Sequence, residues 1–365
     1  MIRAPLAAAL LASVSLAACG SGDRNAQETA PPTATTTAAA PQTGALSAQT
    51  IESAVWQAQP ETPDAAAPAP APTAPGADAA TAAASTPPRP DIIRAQILLD
   101  RARFSPGSID GLGGENTRQA VAAFAEAHNL QSDGELNAQV FAKLVEAAAP
   151  VMTQYAITAA DVAGPFAPVP KELEAQAELT ALSYASPLEG LAEKFHVTEA
   201  LLSALNPGAD FARVGQMIVV PAVSAQPLPA PVTRILVSKA DSAVRAYGAD
   251  GTLLAFYPAT IGSSARPAPT GRLTVVGVAP EPNYTYDPER LSYGTATRRF
   301  VIAPGPNNPV GSVWIDLSRD TYGIHGTPDP SKIAKTASNG CVRLTNWSAE
   351  QLAAAVKPGV EVVFS

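Results

Sequence analysis

The sequence predicts a multidomain fold in which a three-helix domain and a small α/β module precede a mostly-β C-terminal domain. The chain has 365 residues, enough for two or three small domains. Apolar residues recur at helical spacing from residue 91 onwards, and after residue 231 they form short β-branched or aromatic runs between Gly, Pro and Asp. The 36 prolines cluster outside the periodic segments, which indicates that part of the chain buries no core.

The charge balance argues against a nucleic-acid partner. The formal net charge is −8 and no Lys/Arg-rich run occurs, whereas binding to a phosphate backbone needs a basic face. The sequence also implies no metal or organic cofactor, because no His, Cys and Asp cluster has the spacing of a ligand set. We interpret the negative charge as a contribution to solubility.

The N-terminus has the pattern of a signal peptide over residues 1–18. Arg3 precedes an apolar stretch at residues 6–16, which is shorter than the roughly 20 residues that span a bilayer and has the length of a signal-peptide core. The stretch leads into Leu16-Ala17-Ala18-Cys19-Gly20, which resembles the lipobox of bacterial lipoproteins. An ordinary cleaved signal with a chance cysteine is the alternative, because small residues before Cys19 suit both interpretations.

The lipobox resemblance implies an anchor and a location. It implies that Cys19 becomes the lipidated N-terminus of the mature protein, which would place the chain in the periplasm. Gly20 is not the aspartate that resembles an inner-membrane retention signal, so we expect the outer membrane to hold the anchor. The chain has two cysteines, and if Cys19 is acylated, Cys341 has no intramolecular disulfide partner.

Residues 19–90 are predicted to be a disordered linker, since they consist mainly of Ala, Pro and Thr and such a composition cannot form a packed core. As a flexible coil, about 70 residues span on the order of 50 Å, which is enough to carry a domain away from a membrane. Residues 51–56 interrupt this composition, and we expect a transient helix there.

Residues 91–150 are predicted to form three helices, with Asn116 or Thr117 as the cap of the second and Asn137 as the cap of the third. The segment resembles the three-helix peptidoglycan-binding domain, and the resemblance implies peptidoglycan as a partner. The residues that carry it are Ile109, Gly111, Asn116, Thr117, Val121 and Phe124. A helical spacer without a ligand is the alternative, because a fold by itself does not establish a site.

Residues 179–221 are predicted to hold two short helices, the second capped by Thr198, and a closing strand at residues 214–221. This pattern resembles a LysM module, a small α/β fold. The LysM family usually has a Gly-Asp-Thr-like turn before its first helix, where this sequence has Ala185-Ser186-Pro187. The fold therefore remains the expectation, while binding of glycan by the module stays open.

Residues 232–365 are predicted to form a mostly-β domain of about 130 residues, large enough to bury its own core. The predicted strands are β-branched or aromatic runs at residues 234–238, 244–247, 253–258, 273–278, 313–316 and 360–364. One helix is predicted at residues 348–356, directly before the closing strand.

Two ordered motifs in this domain carry the most informative residues. Ile324-His325-Gly326-Thr327 comes first, and Ser338-Asn339-Gly340-Cys341-Val342-Arg343-Leu344 follows. Together they resemble the signature of the YkuD-type L,D-transpeptidase domain, a His-Gly followed by Ser-x-Gly-Cys-x-Arg. The resemblance covers about residues 233–365 and implies a YkuD-like catalytic domain.

The residue types in these motifs suit acyl transfer. A thiolate is a good nucleophile for an amide carbonyl, so Cys341 is the candidate nucleophile, and the imidazole of His325 can take the thiol proton. Gly340 lets the backbone approach closely and could present N–H groups to a developing oxyanion. Arg343 can hold a substrate carboxylate in two-pronged fashion, and a structural ion pair is the alternative role for it.

The neighbours of these residues have orienting roles in our interpretation. The family pattern implies that the carbonyl of Gly326 orients the histidine ring. Ser338 and Asn339 are further orienting candidates. Asn339 stands where many family members have a histidine, and it can donate a hydrogen bond but cannot shuttle a proton.

Other aromatic and histidine side chains are expected to be structural. We expect Trp314 and Tyr322 to pack in the core rather than line a cleft. His128 lies near the end of a predicted helix and His196 between two helices, and we expect both to be structural or solvated.

Two classes of function remain. The resemblance implies an enzyme in which Cys341 attacks the carbonyl of the third residue of a tetrapeptide stem, expels D-alanine and passes the acyl group to an acceptor. The acceptor can be an amine of a second stem, a lysine of an envelope lipoprotein, or water, which would make the protein a hydrolase of the same linkages. The other class is a non-catalytic lipoprotein that tethers the outer membrane to the cell wall, and the intact set of His325, Cys341 and Arg343 argues against it.

Overall fold

The computed structural model describes residues 46–57, 86–146, 149–223, 226–264, 266–290, 296–336, 338 and 340–365. The predicted signal peptide, Cys19, most of the predicted linker and Asn339 lie outside these residues. Within the described ranges, no helix combines the length and the apolar character that a membrane crossing requires.

A short helix precedes the three-helix domain, inside the region predicted to be linker. Helix α1 spans Ala48–Glu52. The Ile51 side chain is fully buried, and Trp56 Nε1 donates a hydrogen bond to the carbonyl oxygen of Leu136 over 2.8 Å. The predictions of a transient helix and of a linker disordered through residue 90 are therefore wrong at residues 46–57, because Ile51 is buried in the core of the helical domain and Trp56 packs against that core.

The three predicted helices are present as α2 (Pro90–Arg101), α3 (Glu115–Ala127) and α4 (Ala138–Val145). Asn137 caps α4 as predicted, since its Oδ1 accepts a hydrogen bond from Val140 N over 2.9 Å. The predicted cap of α3 is wrong. The N-cap is Gly114, and no side chain caps the helix. Thr117 lies in the first turn with Asn116 and accepts a hydrogen bond from Gln96 Nε2 instead.

The α/β module begins earlier than the sequence pattern predicts. Strand β1 (Met152–Ala156) pairs antiparallel with β2 (Met217–Pro221). Between them lie α5 (Leu173–Gln176), α6 (Pro187–Lys194) and α7 (Glu199–Leu205). The predicted range 179–221 misses β1, because most side chains of that strand are exposed or half-buried and give no apolar alternation. Thr198 caps α7 as predicted, accepting from Leu201 N over 3.3 Å.

The C-terminal domain is mostly β, as predicted. Its strands are β3 (Arg234–Ser238), β4 (Ala243–Tyr247), β5 (Leu253–Pro258), β6 (Thr260–Ile261), β7 (Gly271–Pro280), β8 (Tyr284–Tyr286), β9 (Phe300–Ile302), β10 (Val313–Leu317), β11 (Gly323–His325), β12 (Val342–Arg343) and β13 (Glu361–Phe364), with α8 (Asn346–Ala355) before the last strand. In the described part of the chain, nine strands form one sheet in the order β5-β4-β3-β13-β7-β10-β11-β12-β6. Strands β8 and β9 form a separate hairpin.

The domain core lies between this sheet and α8. Ile235, Ile315, Ile324 and Val362 are fully buried on the sheet, and Leu352 is fully buried on the helix. Full burial of one such side chain contributes about 1.5–3 kcal/mol, so the sheet that carries the C-terminal motifs is held by a substantial apolar core.

The α/β module contacts the C-terminal domain through the segment before and at the start of α6. Leu182 N donates to the Pro304 carbonyl over 2.9 Å, and Asn307 N donates to the Leu182 carbonyl over 2.9 Å. Asn307 Nδ2 also donates to Glu189 Oε1 over 2.9 Å. A Cβ at Gly305 would lie 2.2 Å from the Leu182 carbonyl oxygen, so this contact requires glycine. The segment on either side of residues 185–187 therefore takes part in an intramolecular contact with the C-terminal domain.

Candidate active site

Strand pairing brings the two C-terminal motifs side by side. His325 at the end of β11 pairs with Trp314 on β10 and, across a parallel ladder, with Arg343 on β12. Arg343 in turn pairs with Thr260 on β6. Because directly paired residues project from the same face of a sheet, the imidazole and the guanidinium share one face. Cys341 lies two residues before Arg343, directly before β12.

The turn before Cys341 depends on glycine and on a buried serine. Gly340 has a φ of +107°, and a Cβ there would lie 3.1 Å from the Tyr322 ring, so a side chain would be both strained and crowded. Ser338 Oγ accepts a hydrogen bond from Gly262 N and donates one to the Cys341 carbonyl, each over 2.6 Å. These contacts hold the backbone on both sides of the turn, so Ser338 stabilises the conformation of the turn before Cys341.

The His325 ring is enclosed and held at one nitrogen. The residue is 3% exposed, and its Nδ1 lies 2.7 Å from the carbonyl oxygen of Gly326. The Trp314 ring stacks on the imidazole with centroids 5.4 Å apart and an interplanar angle of 19°. Because a carbonyl only accepts, Nδ1 carries the proton, and Nε2 is the ring nitrogen that can accept another.

Burial keeps the imidazole neutral. It lowers the pKa of His325 to about 3, the positive charge of Arg343 acts in the same direction, and the carbonyls of Gly326 and Val310 oppose the shift. A neutral imidazole at physiological pH is the form that can take a proton from a thiol.

Burial also raises the pKa of the Cys341 thiol, against the opposing effects of the Gly323 backbone and the Arg343 charge. The Sγ atom lies 3.5 Å from the Thr321 carbonyl oxygen, to which the thiol donates. Thr321 itself has a φ of +66°, an unusual conformation for a β-branched residue and one that clusters at functional sites. Cys341 and His325 therefore rest as a neutral thiol and a neutral imidazole, so the thiolate must form as substrate is attacked.

Cys341, His325 and Arg343 line one cavity of about 1120 Å³. Its described lining also contains other basic side chains, namely Lys239, Arg266, Arg290, Arg299 and Arg319. The acidic side chains in the same lining are Asp287, Asp316 and Asp320. In a chain with a net charge of −8, this excess of positive charge at one cavity suits a ligand that carries carboxylates.

Two predictions about the surroundings of the site are wrong. Trp314 and Tyr322 line the cavity and are half-buried, whereas core packing was expected for both. The sequence pattern gives no signal for Thr321, whose carbonyl meets the thiol, because a backbone contact does not depend on side-chain type.

The remaining histidines lie outside the cavity. His128 stacks on Phe124 and its Nδ1 contacts the Phe124 carbonyl over 2.8 Å. His196 Nδ1 lies 3.0 Å from Asp100 Oδ2. In the described part of the chain, no group of three or more His, Cys, Asp or Glu side chains is placed to hold a metal ion.

A thiol, a neutral imidazole and a guanidinium in one cavity form the functional-group set of a cysteine acyltransferase. A family model described as the L,D-transpeptidase catalytic domain matches residues 232–364, and one described as a putative peptidoglycan binding domain matches residues 88–144.

Curated relatives of this chain are also named as L,D-transpeptidases. The putative L,D-transpeptidase YkuD of Bacillus licheniformis is 32% identical over 177 residues, which cover 48% of this chain and 91% of that protein. The probable L,D-transpeptidase ErfK/SrfK of Escherichia coli is 32% identical over 186 residues, 48% of this chain and 58% of that protein. The crystal structure of L,D-transpeptidase 3 from Mycobacterium tuberculosis aligns with a TM-score of 0.32 and 15% identity, over 42% of this chain and 75% of that one.

The chain belongs to the L,D-transpeptidase family and carries its catalytic domain behind a helical peptidoglycan-binding domain. The predicted family, fold class and enzymatic class are confirmed, and the non-catalytic tether is not favoured. Both matched domains support peptidoglycan as a partner of this enzyme.

Proposed function

We propose that this enzyme transfers an acyl group from a peptidoglycan tetrapeptide stem to an amine, through a thioester at Cys341. The observation that carries the proposal is a basic cavity whose lining contains the thiol of Cys341, the imidazole of His325 and the guanidinium of Arg343 together. A stem peptide presents an amide carbonyl to attack and carboxylates to bind, which match these groups.

The first half-reaction forms the thioester. Sγ of Cys341 attacks the carbonyl carbon of the third stem residue while its proton passes to His325 Nε2. The tetrahedral intermediate collapses, the C–N bond to the terminal D-alanine breaks, and the proton on Nε2 moves to the departing amine. The Gly326 carbonyl at Nδ1 keeps the ring in the tautomer that this transfer requires.

The second half-reaction regenerates the thiol. The acceptor amine attacks the thioester carbonyl, loses a proton to His325 Nε2 and forms the new amide, and the proton returns to the Cys341 sulfur as it leaves. An amine of a second stem gives a cross-link, a lysine of an envelope lipoprotein gives an attached protein, and water gives hydrolysis. Incubation with tetrapeptide stems, with and without an added lysine peptide, followed by mass analysis of the products, distinguishes the three acceptors.

Arg343 is proposed to hold a stem carboxylate next to the attacked carbonyl. The ion pairs between described side chains do not include Arg343, so no described carboxylate lies within ion-pair distance of its guanidinium. This supports substrate binding over the structural ion pair as the role of Arg343.

Arg343→Lys is expected to lower kcat/KM for the tetrapeptide by about 10- to 100-fold, since lysine keeps the charge but loses the planar fork and its charge-assisted hydrogen bonds. The matched control is Arg234→Lys, a basic residue of the same sheet that stacks on Tyr247 outside the cavity. Steady-state release of D-alanine measures both variants. Wild-type turnover in Arg343→Lys would remove Arg343 from the binding site.

The protein is proposed to work in the periplasm, attached to the outer membrane by lipidated Cys19. Support comes from the lipobox-like run that ends at Cys19, from the Ala/Pro/Thr-rich segment after it, and from a wall-binding domain that follows. In this arrangement the peptidoglycan-binding domain keeps the catalytic domain at its substrate.

Cys19→Ser is expected to abolish incorporation of a labelled fatty acid and to release the protein from membranes, because stable anchoring needs the acyl chains that the lipoprotein pathway attaches. Gly20→Asp is the matched control. It preserves Cys19, so it should keep the label but move the protein to the inner-membrane fraction. A wild-type protein without label would refute the anchor.

A further inference from the structure

The first residue of α8, Asn346, lies beneath the loop that follows His325. It is 2% exposed, and its Oδ1 accepts hydrogen bonds from Thr327 N over 3.0 Å and from Ser312 N over 3.2 Å. Thr327 follows Gly326 directly, so the amide that Asn346 holds belongs to the same peptide unit as the carbonyl that contacts the His325 ring.

Two glycines make room for the Asn346 side chain. A Cβ at Gly326 would lie 2.0 Å from Asn346 Oδ1, and a Cβ at Gly311 would lie 2.1 Å from the same atom. A real Cβ atom could not lie at either distance, so both positions require glycine. The amide oxygen therefore packs closely between the loop after His325 and the segment that precedes β10. The glycine of the His-Gly motif is thus explained by the packing of Asn346.

The amide nitrogen of the Asn346 side chain contacts a residue outside the catalytic domain. Its Nδ2 donates to Glu193 Oε1 over 2.6 Å and to the Pro306 carbonyl over 3.1 Å. Glu193 lies on α6, in the α/β module. All four hydrogen-bonding positions of the amide are therefore used, and a continuous series of contacts runs from Glu193 through Asn346 and the Gly326–Thr327 peptide to Nδ1 of His325.

We propose that Asn346 and Glu193 are positioning residues for His325, so that the α/β module forms part of the scaffold of the active site. The proposal rests on the function proposed above for His325. Asn346 is not in the lining of the cavity, so it acts through the Gly326 carbonyl and not on the substrate. The Gly326–Thr327 peptide must stay in place to keep the imidazole proton on Nδ1, since Nε2 then remains free to take the thiol proton.

The surroundings of Glu193 favour a neutral carboxyl in this role. Burial raises the pKa of Glu193 to about 8, the hydrogen bond from Asn346 opposes this rise, and the nearby Glu350 and Glu189 add to it. A neutral carboxyl still accepts from Asn346 Nδ2 through its carbonyl oxygen. A glutamine at position 193 presents the same acceptor with the same shape.

The test compares four variants of the full chain: Asn346→Ala, Glu193→Ala, Glu193→Gln and, as a matched control, Asn206→Ala. Asn206 is a bridging asparagine in the module, since its side chain bonds the backbone of Leu202 and Val219, and it does not contact the loop after His325. Thermal unfolding of each variant measures its loss of stability. The control thus separates destabilisation in general from loss of histidine positioning.

The first readout is the rate of acylation by the tetrapeptide. Asn346→Ala is expected to lower kcat by about 10- to 100-fold, since small displacements of a catalytic group cost this much, while KM stays within about twofold because no cavity contact is lost. Glu193→Ala should lower kcat in the same direction, and Glu193→Gln should restore most of that loss. Asn206→Ala should lower the unfolding temperature without this loss of kcat.

The second readout needs no substrate. The chain has three histidines, so ¹⁵N-labelled ring signals can be assigned with single variants. The wild type should show His325 as the Nδ1-protonated tautomer, and Asn346→Ala should show a mixture with the Nε2-protonated tautomer. An unchanged His325 signal, or a kcat loss no larger than that of Asn206→Ala, would overturn the positioning role. A wild type that shows the expected tautomer but never forms an acyl adduct would instead refute the proposed function.

Discussion

Replacement of Cys341 with alanine is expected to abolish the acyl-enzyme and to lower D-alanine release by on the order of 10⁴-fold or more, since loss of the nucleophile has this scale of effect in acyl transfer. Cys341 has the one thiol in the cavity lining that the structure describes, and it is a free cysteine. No neighbouring group among those described offers the same reactivity.

Intact-protein mass spectrometry after brief exposure to the tetrapeptide measures this effect. The wild type should gain an adduct that hydroxylamine removes, and digestion should locate it on the peptide that contains Cys341. Cys341→Ser is the conservative comparison, because serine keeps the shape but is a far weaker nucleophile at neutral pH. Release of D-alanine at the normal rate by Cys341→Ala would show that the assigned mechanism is wrong.

His325→Ala is expected to slow acylation by about 10²- to 10⁴-fold, the usual contribution of a general base, without loss of substrate binding. The pH dependence of acylation follows from the lowered pKa of His325 and the raised pKa of Cys341. The pKa of His325 is lowered to about 3, so the base stays neutral and active when the pH falls through the range in which an ordinary histidine becomes charged. The acylation rate of the wild type should therefore not fall across the pH range in which an ordinary histidine becomes protonated.

Alkylation of Cys341 by iodoacetamide tests the protonation states of Cys341 and His325 without substrate. Because burial raises the pKa of the thiol, the rate of alkylation should rise steeply at alkaline pH. It should show no plateau at mildly acidic pH, where a plateau would indicate that a thiolate is already present. His128→Ala is the control, since His128 lies at the C-terminal cap of α3, outside the cavity. A thiolate plateau near pH 5 that disappears in His325→Ala would mean that Cys341 and His325 rest as an ion pair, contrary to the structure.

The long elements of the catalytic domain could be predicted because each carries its own pattern. The runs at 234–238 and 253–258 were predicted with the bounds that β3 and β5 have, since β-branched and aromatic residues favour a strand and most of these side chains are buried. The helix before the closing strand was predicted within two residues at its start and one at its end. Elements of this length bury enough of their own side chains to leave a periodic signal.

The short strands that hold the site could not be predicted in the same way. Strand β11 has three residues and β12 has two, too few for any alternation to appear. They are strands because β10 on one side and β6 on the other supply their hydrogen-bond partners. The motifs identified His325 and Arg343 as a pair, but the parallel register that sets them directly opposite each other arises from tertiary pairing.

By itself the sequence determined the family, the domain order, and Cys341, His325 and Arg343 as the candidate reactive residues, because motif chemistry is local and depends on residue type and spacing. Tertiary structure decided what surrounds them. The stacking of Trp314 on the imidazole depends on the pairing of β10 with β11, and the link from Glu193 to Asn346 joins residues of two domains that are far apart in the chain. No local pattern predicts such contacts, since they arise only when strands pair, domains pack and buried polar groups find partners.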